Sequence, residues 1–207
     1  MSDDGAQDRP ELDGVTEWSD GVSWIADPDE KPRRASHALA TETGVLVVDP
    51  VDAEGLDGHL SDLGTVAGVV VLQDRHTRDA TAVAERHDVS VFMPEWMDLG
   101  AEKLDGEPEP LGSALSETGY ESHELFDTDD WEEAVLVDES AGTMVVPEAV
   151  GTSPGFTPDG EVLGVHPVLD EPPTRLGDWD PERILVGHGE SIYEDGGDRL
   201  QEALQTA

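Results

Sequence analysis

The sequence predicts an α/β fold built on a mixed sheet, on three observations. Between Gly44 and Met93 short apolar runs alternate with helix-like segments in the order strand, helix, strand, helix, strand, the order that packs helices against a sheet. The opening is rich in strands at hairpin spacing, which adds antiparallel pairs to that unit. The chain has 207 residues and 36% hydrophobic content, enough for the core of one domain.

Residues 1–14 (MSDDGAQDRPELDG) are polar and Pro-containing. They are expected to be a frayed tail, with a single domain over 15–207 and structure from about Trp18. Gly21-Val22-Ser23-Trp24-Ile25 reads as a strand, and residues 37–40 and 44–48 as a hairpin across Thr41-Glu42-Thr43. Residues 52–63 have apolar positions near helical spacing and acids in the first turn, which favours a helix. Residues 69–72 form the next strand, 79–87 a helix, and 89–93 a strand closed by Pro94. Residues 99–117 mix Gly, Pro and Glu and read as a loop-rich insert. Strands are expected at 120–125, 134–137 and 143–146. Residues 151–180 are mostly Pro, Gly and acid with one apolar run at 162–165, and 183–186 is a strand running into Gly187-His188-Gly189 before a helix over 197–204.

Asp and Glu number 49 against 11 Lys and Arg, a formal net charge of −38. Nucleic-acid affinity rests on basic groups meeting phosphates, so neither nucleic acid nor an anionic membrane is an expected partner. At molar salt like charges are screened within about 3 Å, and the acidity is read as a surface adapted to high salt. No cysteine is present, which removes disulfides, thiolate nucleophiles and cysteine-ligated zinc. The first residues lack the basic start and apolar run of a signal peptide, and no apolar stretch approaches a membrane span. A cytoplasmic location is the expectation.

Chemistry-bearing side chains fall just past the ends of three strands, where loops converge in an α/β fold. They are Asp74-Arg75-His76-Thr77-Arg78-Asp79, then Glu148, then His188 between its two glycines. Blander readings stand beside the functional one: an ion-pair cluster at a strand end, an exposed loop acid and a turn histidine. His37, His59, His87, His123 and His166 are expected on the surface or satisfied in the core, and the tryptophans mainly in packing. Ser153, between Gly151-Thr152 and Pro154-Gly155, lacks the strand-to-helix elbow of a serine hydrolase.

The order and spacing of these segments resemble the metallo-β-lactamase fold, whose hydrolases carry H-x-H-x-D-H after a strand, a later histidine, a bridging aspartate and a late Gly-His-Gly. The resemblance runs from about Trp18 to Leu204 and includes GVSWI, GVLVVDP, VVVLQDRHTRDATAVAERHDVSVFMP, TMVVPEAVG and ILVGHGESIYEDG. It implies a four-layer αββα sandwich with mixed sheets and a site drawn from Asp74, Arg75, His76, Arg78, Asp79, Glu148 and His188. Laid on the motif without gaps, Asp74 takes the first histidine, His76 the second, Arg78 the aspartate and Asp79 the last histidine. One residue later, Asp79 becomes the aspartate, but Arg75, Thr77 and Ala80 fall at the histidines. Glu148 stands at the bridging aspartate and His188 at the late histidine. The middle histidine has no counterpart in LFDTDDW, which offers only Asp127, Asp129 and Asp130.

A guanidinium donates hydrogen bonds and has no lone pair to give, so Arg78 ligates nothing and its charge repels a cation. The ordinary two-zinc site is therefore not expected, and no cofactor is favoured. Any divalent metal would meet Asp74, His76, Asp79, Glu148 and His188, an oxygen-rich set that shifts preference from zinc toward manganese or magnesium. Arg78, with Arg75, is expected to replace the missing cation by pairing with Asp74, Asp79 or Glu148, since carboxylates grouped alone repel one another. The expected function is that of a fold member with a degenerate metal site that binds a small molecule or serves a structural role. The alternative is an active metal-dependent hydrolase of a small ester, thioester or phosphoester, using a metal-bound hydroxide.

Overall fold

The computed structural model describes residues 9–158 and 160–206, so the first eight residues of the expected tail lie outside the described residues. A seven-stranded sheet holds β1 (Asp13–Trp18), β2 (Gly21–Ile25), β3 (Ala35–Thr41), β4 (Gly44–Val48), β5 (Val66–Val70), β6 (Val91–Met93) and β7 (Glu109–Pro110), side by side in chain order. Pairing is antiparallel from β1 to β4 and parallel from β4 to β7. Parallel neighbours need a crossover, which α1 (Leu56–Leu63) supplies between β4 and β5 and α2 (Ala80–His87) between β5 and β6.

The second sheet contains β8 (Glu121–Thr128), β9 (Trp131–Asp138), β10 (Thr143–Val146) and β13 (Arg183–Val186) in the spatial order β13-β10-β9-β8. Its β10 and β13 are parallel and its other pairs antiparallel. A two-stranded ribbon, β11 (Val150–Gly151) with β12 (Gly164–Val165), lies between them in sequence, and α5 (Gly196–Thr206) ends the described chain. Among the described residues no helix is long and apolar enough to cross a membrane.

Successive side chains on a strand point to opposite faces, and that alternation builds the layers. Val45, Val47, Val69 and Val71 pack with Leu56 and Leu60 of α1 and Ala80 and Val83 of α2. Their neighbours Leu46, Val48, Val70 and Leu72 turn the other way and meet Ala134, Leu136, Val145 and Leu185 of the second sheet. The opposite face of that sheet, Val135, Val137, Met144, Val146, Ile184 and Val186, meets Leu200 and Ala203 of α5. The result is the four-layer αββα sandwich with mixed sheets.

Three expectations change. Ordered strand begins at Asp13 rather than near Trp18, and Glu11 bridges Glu54. The first helix starts at Leu56, not residue 52, because Gly55 at its N-cap adopts φ +89, a conformation glycine takes without strain. The insert of 99–117 contains α3 (Asp98–Ala101), β7 and α4 (Leu111–Ala114), which are too short for a readable period.

Candidate functional site

Five strand ends deliver the site. Asp49 follows β4, His76 and Arg78 lie between β5 and α2, Glu148 follows β10, His166 follows β12 and His188 follows β13. Four of these are the carboxyl ends of the parallel pairs, β4 with β5 and β10 with β13, the usual position of a site in an open α/β sheet, and β12 belongs to the antiparallel ribbon.

Glu148 is the hub. Its Oε2 lies 2.9 Å from His76 Nε2 and 3.1 Å from His188 Nε2, and its Oε1 lies 3.3 Å from His166 Nε2. Burial pushes the Glu148 carboxyl up, but the hydrogen bonds from His166, His188 and His76 outweigh it and hold the group well below the usual carboxylate range. Beneath it sits Glu133, fully buried, whose Oε1 accepts from the main-chain N–H of Glu148 and of Ala149, both at 2.9 Å. Trp131 Nε1 donates to the other oxygen of Glu133 at 2.8 Å. Burial pushes the Glu133 carboxyl up to about 7 against those hydrogen bonds.

The far nitrogens of two rings are also engaged. His76 Nδ1 lies 3.1 Å from Asp49 Oδ2, and His188 Nδ1 lies 2.9 Å from the Pro32 carbonyl. Carboxylate and carbonyl oxygens only accept, so all four contacts form when both nitrogens of each ring carry hydrogen. His166 differs: its Nδ1 accepts from the Val168 N–H at 3.2 Å, which leaves Nε2–H to donate to Glu148.

Arg78 enters the centre from the turn. Its NH1 donates to the carbonyls of Ala35 (2.6 Å) and Asp49 (2.8 Å), and its NH2 donates to that of Gly187 (3.2 Å). NH2 also lies 3.2 Å from His76 Nε2. That nitrogen either accepts from Arg78 or donates to Glu148. The shorter contact, to Glu148, and the second acceptor available to NH2 favour donation. Arg78 is half-buried as a residue, yet its Nε is closed off from solvent and has no hydrogen-bond partner among the described residues. Burial lowers the guanidinium to about 10, against the raising influence of Asp49.

The structure brings His76, Arg78, Glu148 and His188 together and holds Asp74, Asp79 and Arg75 outside this central group. Asp74 pairs with Lys103 Nζ at 2.7 Å and accepts from Gln73 and from the Glu132 N–H. Asp79 Oδ2 accepts from the Asp52 N–H at 2.9 Å. Arg75 lies over the Trp131 ring at 4.6 Å. The five-residue ligand set therefore does not assemble, because the turn points Asp74 and Asp79 away from the hub. The expected pairing of Arg78 with Asp74, Asp79 or Glu148 is also replaced, by main-chain carbonyls.

Two members, Asp49 and His166, escaped sequence reasoning. Asp49 stands in VVDP, directly after a strand, which is a usable signal. His166 lies in a Pro/Gly-rich loop whose path is set only by the ribbon of β11 and β12. The larger surface hollows share no residue with this group: one of about 300 Å³ is lined by Val137, Asp138 and Trp179, another of about 630 Å³ by Pro10, Asp27 and Glu54.

No family model matches the sequence, and no curated protein does. Solved structures do. A metallo-β-lactamase from Pontibacter korlensis superposes with TM-score 0.61 at 15% identity, over 94% of this chain and 98% of that one. The chain has the metallo-β-lactamase fold. The same fold is seen in the FIM-1 metallo-β-lactamase from Pseudomonas aeruginosa in its mono-zinc form, with TM-score 0.63 at 5% identity over 95% of each chain. A di-iron-bound form of TTHA1623 gives TM-score 0.58 at 16% identity over 82% of this chain and 93% of that one.

Metal ions in two of these metallo-β-lactamase-fold neighbours raise the question of fit. His76, Glu148 and His188 offer ligand atoms all within 4.8 Å of one another, the only such group among the described residues. A metal needs the Nε2 lone pairs of both rings, whereas these nitrogens face a carboxylate oxygen at hydrogen-bond distance. The Arg78 guanidinium, a fixed charge, lies 3.2 Å from one of them. With Asp74 and Asp79 turned away as well, the residues do not fit the two-ion centre that the resemblance implies.

Proposed function

We propose that this metallo-β-lactamase-fold chain works without a metal ion and binds a small molecule at the old catalytic end rather than hydrolysing it. The observation that carries this reading is the seat of Arg78: three main-chain carbonyls at 2.6, 2.8 and 3.2 Å hold its guanidinium beside His76. A guanidinium held in this way supplies permanent positive charge next to Asp49 and Glu148 without presenting a nucleophile. The hub is also nearly closed, with His76 3%, His188 7% and Glu148 9% exposed, so a ligand meets the rim around His166 and Phe156, both partly exposed.

Elemental analysis of protein purified without chelator, with thermal melting in zinc, manganese and EDTA, tests this, since a specific ion raises apparent stability by mass action. The expected result is metal well below stoichiometry and no shift in Tm. Near-stoichiometric metal that His76→Ala loses would instead support one ion among His76, Glu148 and His188, and with it the hydrolase alternative.

A further inference from the structure

We propose that the ligand of this site is a small organic anion, a carboxylate or phosphate monoester on an apolar body, and that Arg75 is its docking cation. The inference rests on the ligand-binding reading above and gives it a chemical class. The chain has 11 lysines and arginines against 49 acids, yet Lys31, Arg33, Arg34, Arg75, Arg78 and Lys103 all come from three segments that border this one site. Residues 31–34 are fastened to it: His188 Nδ1 donates to the Pro32 carbonyl, and the Gly189 N–H donates to the Arg33 carbonyl at 2.8 Å. Lys103 Nζ reaches the Asp74 carbonyl at 3.1 Å, two residues before His76.

Most of this charge is already spoken for. Arg33 pairs with Glu190, Arg34 with Glu30 and Lys103 with Asp74, while Arg78 turns inward to carbonyls. Lys31 and Arg75 are exposed and make no ion pair among the described residues, and of the two Arg75 has a fixed seat, 4.6 Å above the Trp131 ring. Trp131 meets His166 edge-on at 5.1 Å, and His166 meets Phe156 at 5.1 Å. One guanidinium and three rings thus lead from solvent toward Glu148. A guanidinium held over an aromatic ring keeps its fork of donors available for a carboxylate or phosphate, and the partly exposed Phe156 ring offers apolar surface to the rest of the ligand. On a surface of net charge −38, an exposed guanidinium with no ion-pair partner among the described residues favours anions at this place over the remainder of the molecule.

Calorimetric titration of the full chain, in EDTA and after loading with zinc or manganese, at fixed ionic strength, tests the proposal with benzoate and phenyl phosphate as probes. Benzamide and benzylamine serve as their neutral and cationic counterparts. The two anions are expected to bind saturably and more tightly than either counterpart. Arg75→Ala should weaken them about tenfold, Arg75→Lys less, and Arg199→Ala on α5 not at all. Benzamide binding as well as benzoate, or anion binding indifferent to Arg75→Ala, overturns the proposal. Metal content of the same samples keeps the two readings apart. Anions that bind only metal-loaded protein, still through Arg75, sink the metal-free reading alone, whereas metal-free protein without anion preference sinks this one alone.

Discussion

Arg78 sits at the centre of the site with a backbone φ of +38, in the left-handed region that costs an L-residue about 1 kcal/mol. The hydrogen bonds from its guanidinium to Ala35, Asp49 and Gly187 offset that cost and tie β3, β4 and β13 together. Arg78→Ala should therefore destabilise the protein by about 3 kcal/mol in urea titration, since it removes three hydrogen bonds from a charged donor. Arg78→Lys should recover less than half, because a point charge cannot reproduce a planar fork. Glu133 gives a prediction in pH. Its folded pKa of about 7 lies above the ordinary value of about 4.3, so the folded state holds a proton that the unfolded state has lost. Its contribution to stability is therefore greatest below about pH 4 and declines as pH rises to about 7, by on the order of 3 kcal/mol. Glu133→Gln should flatten this decline in melts from pH 5 to 8, and an equal slope in both proteins would refute the assignment. At this scale Arg78 was legible, because donor chemistry alone bars it from a metal. His166 was not, since it has no local signature beyond its residue type, and Asp49 offered only its place directly after a strand.

At the level of elements, the site depends on how β13 ends. A Cβ placed on Gly187 would lie 2.1 Å from the Pro147 carbonyl oxygen and 2.9 Å from His76 Cε1, so only glycine lets β13 pass between Glu148's neighbour and the imidazole. Gly187→Ala should cost roughly 1–3 kcal/mol and disturb the His76–Glu148 contact, visible as altered imidazole resonances in NMR. Leu200→Ala on α5, where the side chain is fully buried in the outer core, should cost about 2–5 kcal/mol without altering those resonances. Strands were the most legible elements, since GVLVV, TMVV and RILV are short, β-branched and bounded by turns. The brief helices α3 and α4 were hidden because four residues make barely one turn.

For the whole molecule the dominant quantity is a net charge of −38. Like-charge repulsion acts over about 10 Å at 0.1 M salt and about 3 Å at 1 M, so Tm should rise steadily with potassium chloride over that interval. A Tm that falls with salt would mean that the ion pairs, such as Arg86 with Asp52 and Asp57, outweigh the general repulsion. By itself the sequence determined an α/β fold on a mixed sheet and the strand ends that bear His76, Glu148 and His188, because apolar strand runs are a local property, whereas the four layers came from the family resemblance. Only the tertiary structure decided that Asp74 and Asp79 turn away, that Asp49 and His166 turn in, and that Arg78 rests on carbonyls. Those outcomes depend on where a turn aims its side chains and where a loop returns, and both are set by contacts between residues far apart in the chain.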